Sequence, residues 1–173
     1  LQKPERVRRA MYNAVAAMSS PGRGGYPATR LAEETDFQCR SLAAELFDMD
    51  DPAQVVFTGN ATHGLNIAIK TLVKPGSRVV ISGYEHNAVT RPLHGIPDVT
   101  LTVVDTPLFQ PETMLAEFGQ ALEAGANAVI CTHVSNVFGY RLPVENIAAL
   151  CRKADVPFVL DASQSAGMLP VSM

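Results

Sequence analysis

The sequence has no excess of positive charge, no paired-cysteine motif, no long apolar run and no internal repeat, and each absence removes a class of protein. With 14 Lys and Arg against 17 Asp and Glu, its formal net charge is -3. There is thus no basic footprint, and Arg6, Arg8 and Arg9 fall in a helical pattern rather than a tail, so no nucleic-acid partner is expected. Cys39, Cys131 and Cys151 form neither a CxxC pair nor a metal-ligand spacing. They lie in apolar surroundings and read as small buried hydrophobes in a reducing compartment, with no metal site. No stretch reaches the length of a membrane span, and Leu1 opens into a charged helix instead of a signal peptide. A cytoplasmic protein with no membrane partner is expected. The missing initiator Met points to a true N-terminus further upstream. Without repeats or low-complexity linkers, one domain over 1–173 is the simplest partition.

What is present is a hydrophobic fraction of 47% over 173 residues, enough for a sizeable core. From Pro4 to Met18, Val7, Met11, Ala14, Val15 and Met18 recur at helical spacing behind a proline suited to a first turn. Ser19 to Pro27 (SSPGRGGYP) reads as a loop. A second helix is expected from Ala28 to Phe47, with Leu31, Phe37, Leu42 and Leu46 as candidates for its buried side. After Asp50-Asp51-Pro52 the texture changes, which separates a helical segment, 1–50, from an α/β core, 51–173. Apolar runs at Val55 to Phe57, Val79 to Ile81, Leu101 to Val104, Ala128 to Ile130 and Phe158 to Leu160 alternate with helical patterns. The helical patterns fall at Thr62 to Leu72, around Ala88 to Leu93, at Pro111 to Ala124 and at Val144 to Ala154. Continuous apolar strands alternating with helices imply a three-layer α/β fold: a mostly parallel sheet with helices on both faces. Ligands of such sheets gather at the carboxyl ends of the strands.

Four segments sit there. Thr58 to Gly64 (TGNATHG) precedes a helix whose free N–H groups could hold a phosphate, with Thr62 adding a hydroxyl. An ordinary turn with Thr62 as N-cap fits equally. The segment is neither GxGxxG nor the P-loop GxxxxGK[ST], so a dinucleotide or nucleoside triphosphate site is disfavoured. In EHNAV, His86 could stack on a flat heteroaromatic ligand or move protons, or be a loop residue. In THVSNVFG, Asn136 could donate to a ligand oxygen or make a turn; His133, nearer the strand, reads as structural. In VLDASQSAG, Asp161 ends a buried strand and needs a cation, such as a pyridinium nitrogen, unless it caps a helix.

In this order and at these distances, the four segments resemble the cysteine desulfurase-like branch of the class V aminotransferase family, fold-type I enzymes that use pyridoxal 5'-phosphate (PLP). SSPGRGGYP is similar to that family's early loop and KPERVRRAM to the helix before it, so the likeness covers essentially the whole chain. It implies the following roles. Ala61 and Thr62 match the cofactor-phosphate turn, although His63 stands where many relatives have an acidic residue. His86 matches the histidine that stacks on the ring and assists proton transfer, the one catalytic residue expected here. Asn136 matches the asparagine near the phenolic oxygen, a place that by the same resemblance also meets the substrate carboxylate. Asp161 matches the partner of the pyridine nitrogen, and Gln164 the residue bonding the phenolic oxygen. A homodimer acting on a small, cysteine-like amino acid is implied for the complete enzyme.

The family's Schiff-base lysine belongs to a Ser-x-His-Lys stretch downstream of VLDASQSAG, and no such stretch is present. Lys3, Lys70, Lys74 and Lys153 have other settings, and none of the three cysteines matches the sulfur-accepting position. The family's initial Asp-Asn-Ala-Ala strand, its carboxylate-binding arginine and its small C-terminal domain are missing too. The expectation is a truncated large domain, inactive alone, that binds PLP non-covalently at most. An aminotransferase, a selenocysteine lyase and a non-catalytic binding or dimerisation remnant remain alternatives.

Overall fold

The computed structural model describes residues 2–173. They fall into two compact units, one running to Val56 and including Val171–Met173, the other Phe57–Pro170.

The first unit is helical. Helix α1 spans Glu5–Ala17 and helix α2 spans Pro27–Leu46, where Pro27 occupies a position that needs no N–H. A short 3-10 turn follows at Pro52–Gln54, closed by the N–H of Ala53 donating to the Asp51 carboxylate. The two helices match the expected spans, but their apolar sides are not buried. Val15 is 87% exposed, and Leu31, Phe37, Leu42 and Leu46 all face solvent. Thr29 and Ala44 are the buried residues of α2 instead. The reason is local: α2 turns Arg40 toward the 3-10 segment, where its guanidinium donates to the Val55 carbonyl and pairs with Asp36. Burial follows whichever face meets a neighbour, and hydrophobic spacing alone does not say which face that is. Cys39 is exposed on the same helix, contrary to its expected burial.

Val55 to Phe57 forms no strand. Val55 is extended, at φ -80° and ψ 121°, but no partner strand lies against the run among the described residues, and Val56 is 73% exposed. β-branched side chains favour extended backbone; a strand also requires a ladder.

The second unit is the expected three-layer α/β fold. Four strands, β1 (Arg78–Ser82), β2 (Thr100–Val104), β3 (Ala128–Thr132) and β4 (Phe158–Asp161), form one parallel sheet in the order β2-β1-β3-β4. Helices α3 (Ala61–Leu72), α4 (Asn87–His94), α5 (Pro111–Glu123) and α6 (Val144–Lys153) complete it. Because side chains alternate along a strand, neighbours in sequence feed opposite cores. Val79, Ile81, Ala128 and Ile130 pack with Leu65 and Ile69 of α3 and Val89 and Leu93 of α4. Val80, Val129 and Cys131 pack with Met114 and Phe118 of α5 and Ile147 and Cys151 of α6. No helix among the described residues is long and apolar enough to cross a membrane.

The order places β1 at a switch point: the chain leaves β1 for β2 on one side, then returns to lay β3 on the other. Connections on either side of such a point leave a crevice at the carboxyl ends of the strands. Phe118 is fully buried at the centre of one core. Phe118→Ala is expected to destabilise this unit by about 3–5 kcal/mol, read from urea unfolding.

Candidate functional site

Each wall of the crevice is set by a short-range hydrogen bond. At the start of α3, the Asn60 carboxamide oxygen accepts the N–H of His63 at 2.9 Å, and the Thr58 hydroxyl donates to the Asn60 carbonyl at 2.9 Å. The N-cap is therefore Asn60, not Thr62. Asn60 is extended, at φ -170°, as a cap must be, whereas Thr62 is already inside the helix. That leaves the Thr62 hydroxyl uncommitted to capping.

After β1 the chain turns at Gly83, whose N–H donates to the Val104 carbonyl at 2.8 Å. A Cβ at Gly83 would lie 2.7 Å from Asp105 Oδ1 and 3.3 Å from Asp105 Cα, so any side chain there would have to displace the Asp105 carboxylate and press on its backbone. Glu85 then folds back. Its Oε1 accepts the Thr132 N–H at 2.8 Å and the Ser82 hydroxyl proton, while the buried Oε2 has no partner. His86 caps α4: Nδ1 accepts the N–H of Ala88 at 3.1 Å. Nδ1 acts as an acceptor, so a neutral His86 carries its ring proton on Nε2.

After β3 the chain makes a tight reversal. Ser135 N–H donates to the Tyr140 carbonyl and Gly139 N–H to the Ser135 carbonyl, both at 2.9 Å. Asn136 lies exposed within this reversal. His133 is buried away from the crevice; its Nε2 accepts from Arg141 Nε at 3.3 Å, and Arg141 pairs with Glu145 at 2.6 Å. Burial, reinforced by the Arg141 charge, lowers the pKa of His133.

Asp161 ends β4 and is buried. No helix follows it among the described residues, and its carboxylate caps none. Instead Oδ1 accepts the Ser163 N–H at 3.0 Å and the Ser163 hydroxyl, an Asx turn. Oδ2 accepts no hydrogen bond among the described residues.

These walls enclose a recess of about 130 Å³. Ala61, Thr62, His86, Asn136, Asp161 and Gln164, the six residues singled out in the sequence, all line it, with Leu65, Ala88, Thr132, Val134 and Ser163. None of the lining residues is a lysine. Among the described residues no cluster of metal-ligating side chains occurs.

Sequence reasoning passed over Glu85. Desolvation, opposed by the bonds from Ser82 and Thr132 and assisted by the charge of Asp161, pushes its carboxyl up to about 7 from an ordinary 4.5. Its only sequence signal was a carboxylate one residue before the histidine and directly after a buried strand.

An open parallel sheet with a polar recess at its switch point is the architecture of nucleotide- and cofactor-binding α/β proteins. The comparisons specify which. The aminotransferase class-V family matches residues 2–173, and the chain belongs to that family, in its cysteine desulfurase-like branch. It is 32% identical to the cysteine desulfurase IscS of Vibrio campbellii over 173 residues, 92% of this chain and 42% of that protein. It is 34% identical to IscS of Shewanella sediminis over 171 residues, 90% of this chain and 41% of that protein. The chain therefore spans about two fifths of the curated relatives it matches. Apo cysteine desulfurase from Thermococcus onnurineus NA1 shares the fold at TM-score 0.88 and 24% identity, over 99% of this chain and 44% of that one. So does C-DES, in a mutant with glycine covalently linked to its PLP cofactor, at TM-score 0.81 and 23% identity over 98% of this chain and 46% of that one.

The Glu85 carboxyl links acidity to stability. The folded chain keeps this proton up to about pH 7, whereas an unfolded chain releases it near 4.5, so between these values the unfolded state binds fewer protons. Stability contributed here is present below pH 4.5, falls as pH rises through this window and levels off above it. Urea unfolding of Glu85→Gln against the parent chain should show the variant gaining on the order of 2–3 kcal/mol between about pH 5 and about pH 8. A constant difference would remove the linkage.

Proposed function

We propose that the recess is the PLP site of a cysteine desulfurase-like enzyme, of which this chain supplies the cofactor-binding part. The observation that carries the reading is that six residues from four separate segments at the strand ends, matched to PLP contacts by resemblance alone, line one small recess. The donor set fits the group. The first turn of α3 offers unpaired N–H groups and the Thr62 hydroxyl to a phosphate, at the positive end of a helix. Asp161 offers the unpartnered Oδ2 of a buried carboxylate, which a pyridinium nitrogen would compensate. His86 presents a ring whose orientation is fixed by its bond to Ala88. Asn136 and Gln164 offer amide donors to a phenolic oxygen. PLP, when bound, supplies an electron sink for a carbanion. Ala61 and Thr62 would hold its phosphate, Asp161 would keep its ring nitrogen protonated, and His86 would meet its ring.

In the complete enzyme the substrate class is a cysteine-like amino acid and the assembly a homodimer. SspA, similar in fold at TM-score 0.78 and 24% identity over 98% of this chain and 50% of that one, is known in complex with cysteine. That supports the substrate class by analogy.

Because no lysine lines the recess, this chain is expected to bind PLP weakly and reversibly. Fluorescence titration should show saturable binding that dialysis removes. Asp161→Ala should weaken it about tenfold or more, the loss of one compensated buried charge. Equal binding by Asp161→Ala, or a PLP absorption band that persists through dialysis, would overturn the reading.

A further inference from the structure

The ladder between β1 and β3 runs from Val79 against Ala128 to Ile81 against Ile130 and stops there, while β3 stays paired with β4 as far as Thr132 against Asp161. Beyond Ile81 the two central strands part. The buried Thr132 N–H, which a continuing ladder would have satisfied, finds its acceptor in Glu85 Oε1 at 2.8 Å. The Ser82 hydroxyl donates to the same oxygen. One side chain thus replaces a missing backbone rung at the mouth of the recess, where an unpaired buried donor would be costly. The next residue is His86, whose ring is pinned from the other side by the Ala88 N–H.

We propose that Glu85 is the positioning residue of this site: by bridging Ser82 and Thr132 it holds the β1–α4 turn to the end of β3 and so fixes where His86 directs its Nε2–H. The inference rests on the PLP reading only for what that N–H meets. The groups facing Glu85 are Ser82 on β1, Cys131 and Thr132 on β3 and Asp161 on β4. Burial of the carboxyl and, to a smaller degree, the Asp161 charge disfavour a second anion, so Glu85 acts as a neutral acceptor below about pH 7. A carboxamide reproduces that form; a shorter carboxylate does not reach both partners.

The test is nuclear magnetic resonance of the full chain, reading hydrogen exchange at the Thr132 amide and the ring nitrogen shifts of His86. Glu85→Gln should retain the parent's Nε2–H tautomer and slow Thr132 exchange. Glu85→Asp should speed Thr132 exchange about tenfold or more and mix the two tautomers. Ser82→Ala, which removes one of the two bonds and leaves Glu85 in place, should shift the His86 signals the same way by a smaller amount, and it decides the matter if Glu85→Asp does not fold. Parent-like His86 signals in Glu85→Asp or in Ser82→Ala, or tautomer mixing in Glu85→Gln, would overturn the proposal. PLP titration of the same samples separates the two claims: unchanged PLP affinity in Asp161→Ala defeats the cofactor reading, whatever His86 does.

Discussion

The structure turns on where its two central strands stop pairing. A parallel sheet satisfies its backbone only while neighbouring strands run side by side. Past Ile81 and Ile130 they separate, and the chain must then cover polar groups at the edge of a dry core with side chains. Glu85 and Asp161, the latter held by the Asx turn at Ser163, are the answers, and each brings a carboxyl group to the end of an apolar strand. The separation that creates the opening therefore also gives it acidic groups, of which Asp161 lines the recess.

Much of this was legible in the sequence because the signals were local. Continuous apolar runs located β1 to β4, and helical patterns between the runs located the helices. Resemblance then picked out, from the loops at the strand ends, the six residues that share the recess. What could not be read was whatever depends on a distant neighbour. Val55 to Phe57 has the composition of a strand and lacks a partner. The Leu31, Leu42 and Leu46 side of α2 has the spacing of a core face and stays open, because the helix packs through Ala44 and Arg40. Glu85 was not singled out. Its role appears only when Thr132, 47 positions away, arrives with an N–H to satisfy.

The small caps follow the same logic on a shorter scale. Asn60 and Thr62 are both sound N-cap residues, and propensity does not choose between them. The extended backbone at Asn60 does, and as a result the threonine, which lines the recess, is not used as the helix's cap. Similarly, the imidazole of His86 is spent on one side as a cap, so its chemistry is confined to the other nitrogen.

The three thiols have a practical consequence. Cys131 lies sealed in the core, its thiol raised well above its ordinary range by desolvation and the nearby Glu85 charge, and burial pushes Cys151 up to about 11. Thiolate, not thiol, reacts with electrophiles, so both are inert while the sheet is intact. Cys39, exposed on α2, then stands as the single address at which a dye or spin label can be attached to the native chain without mutation.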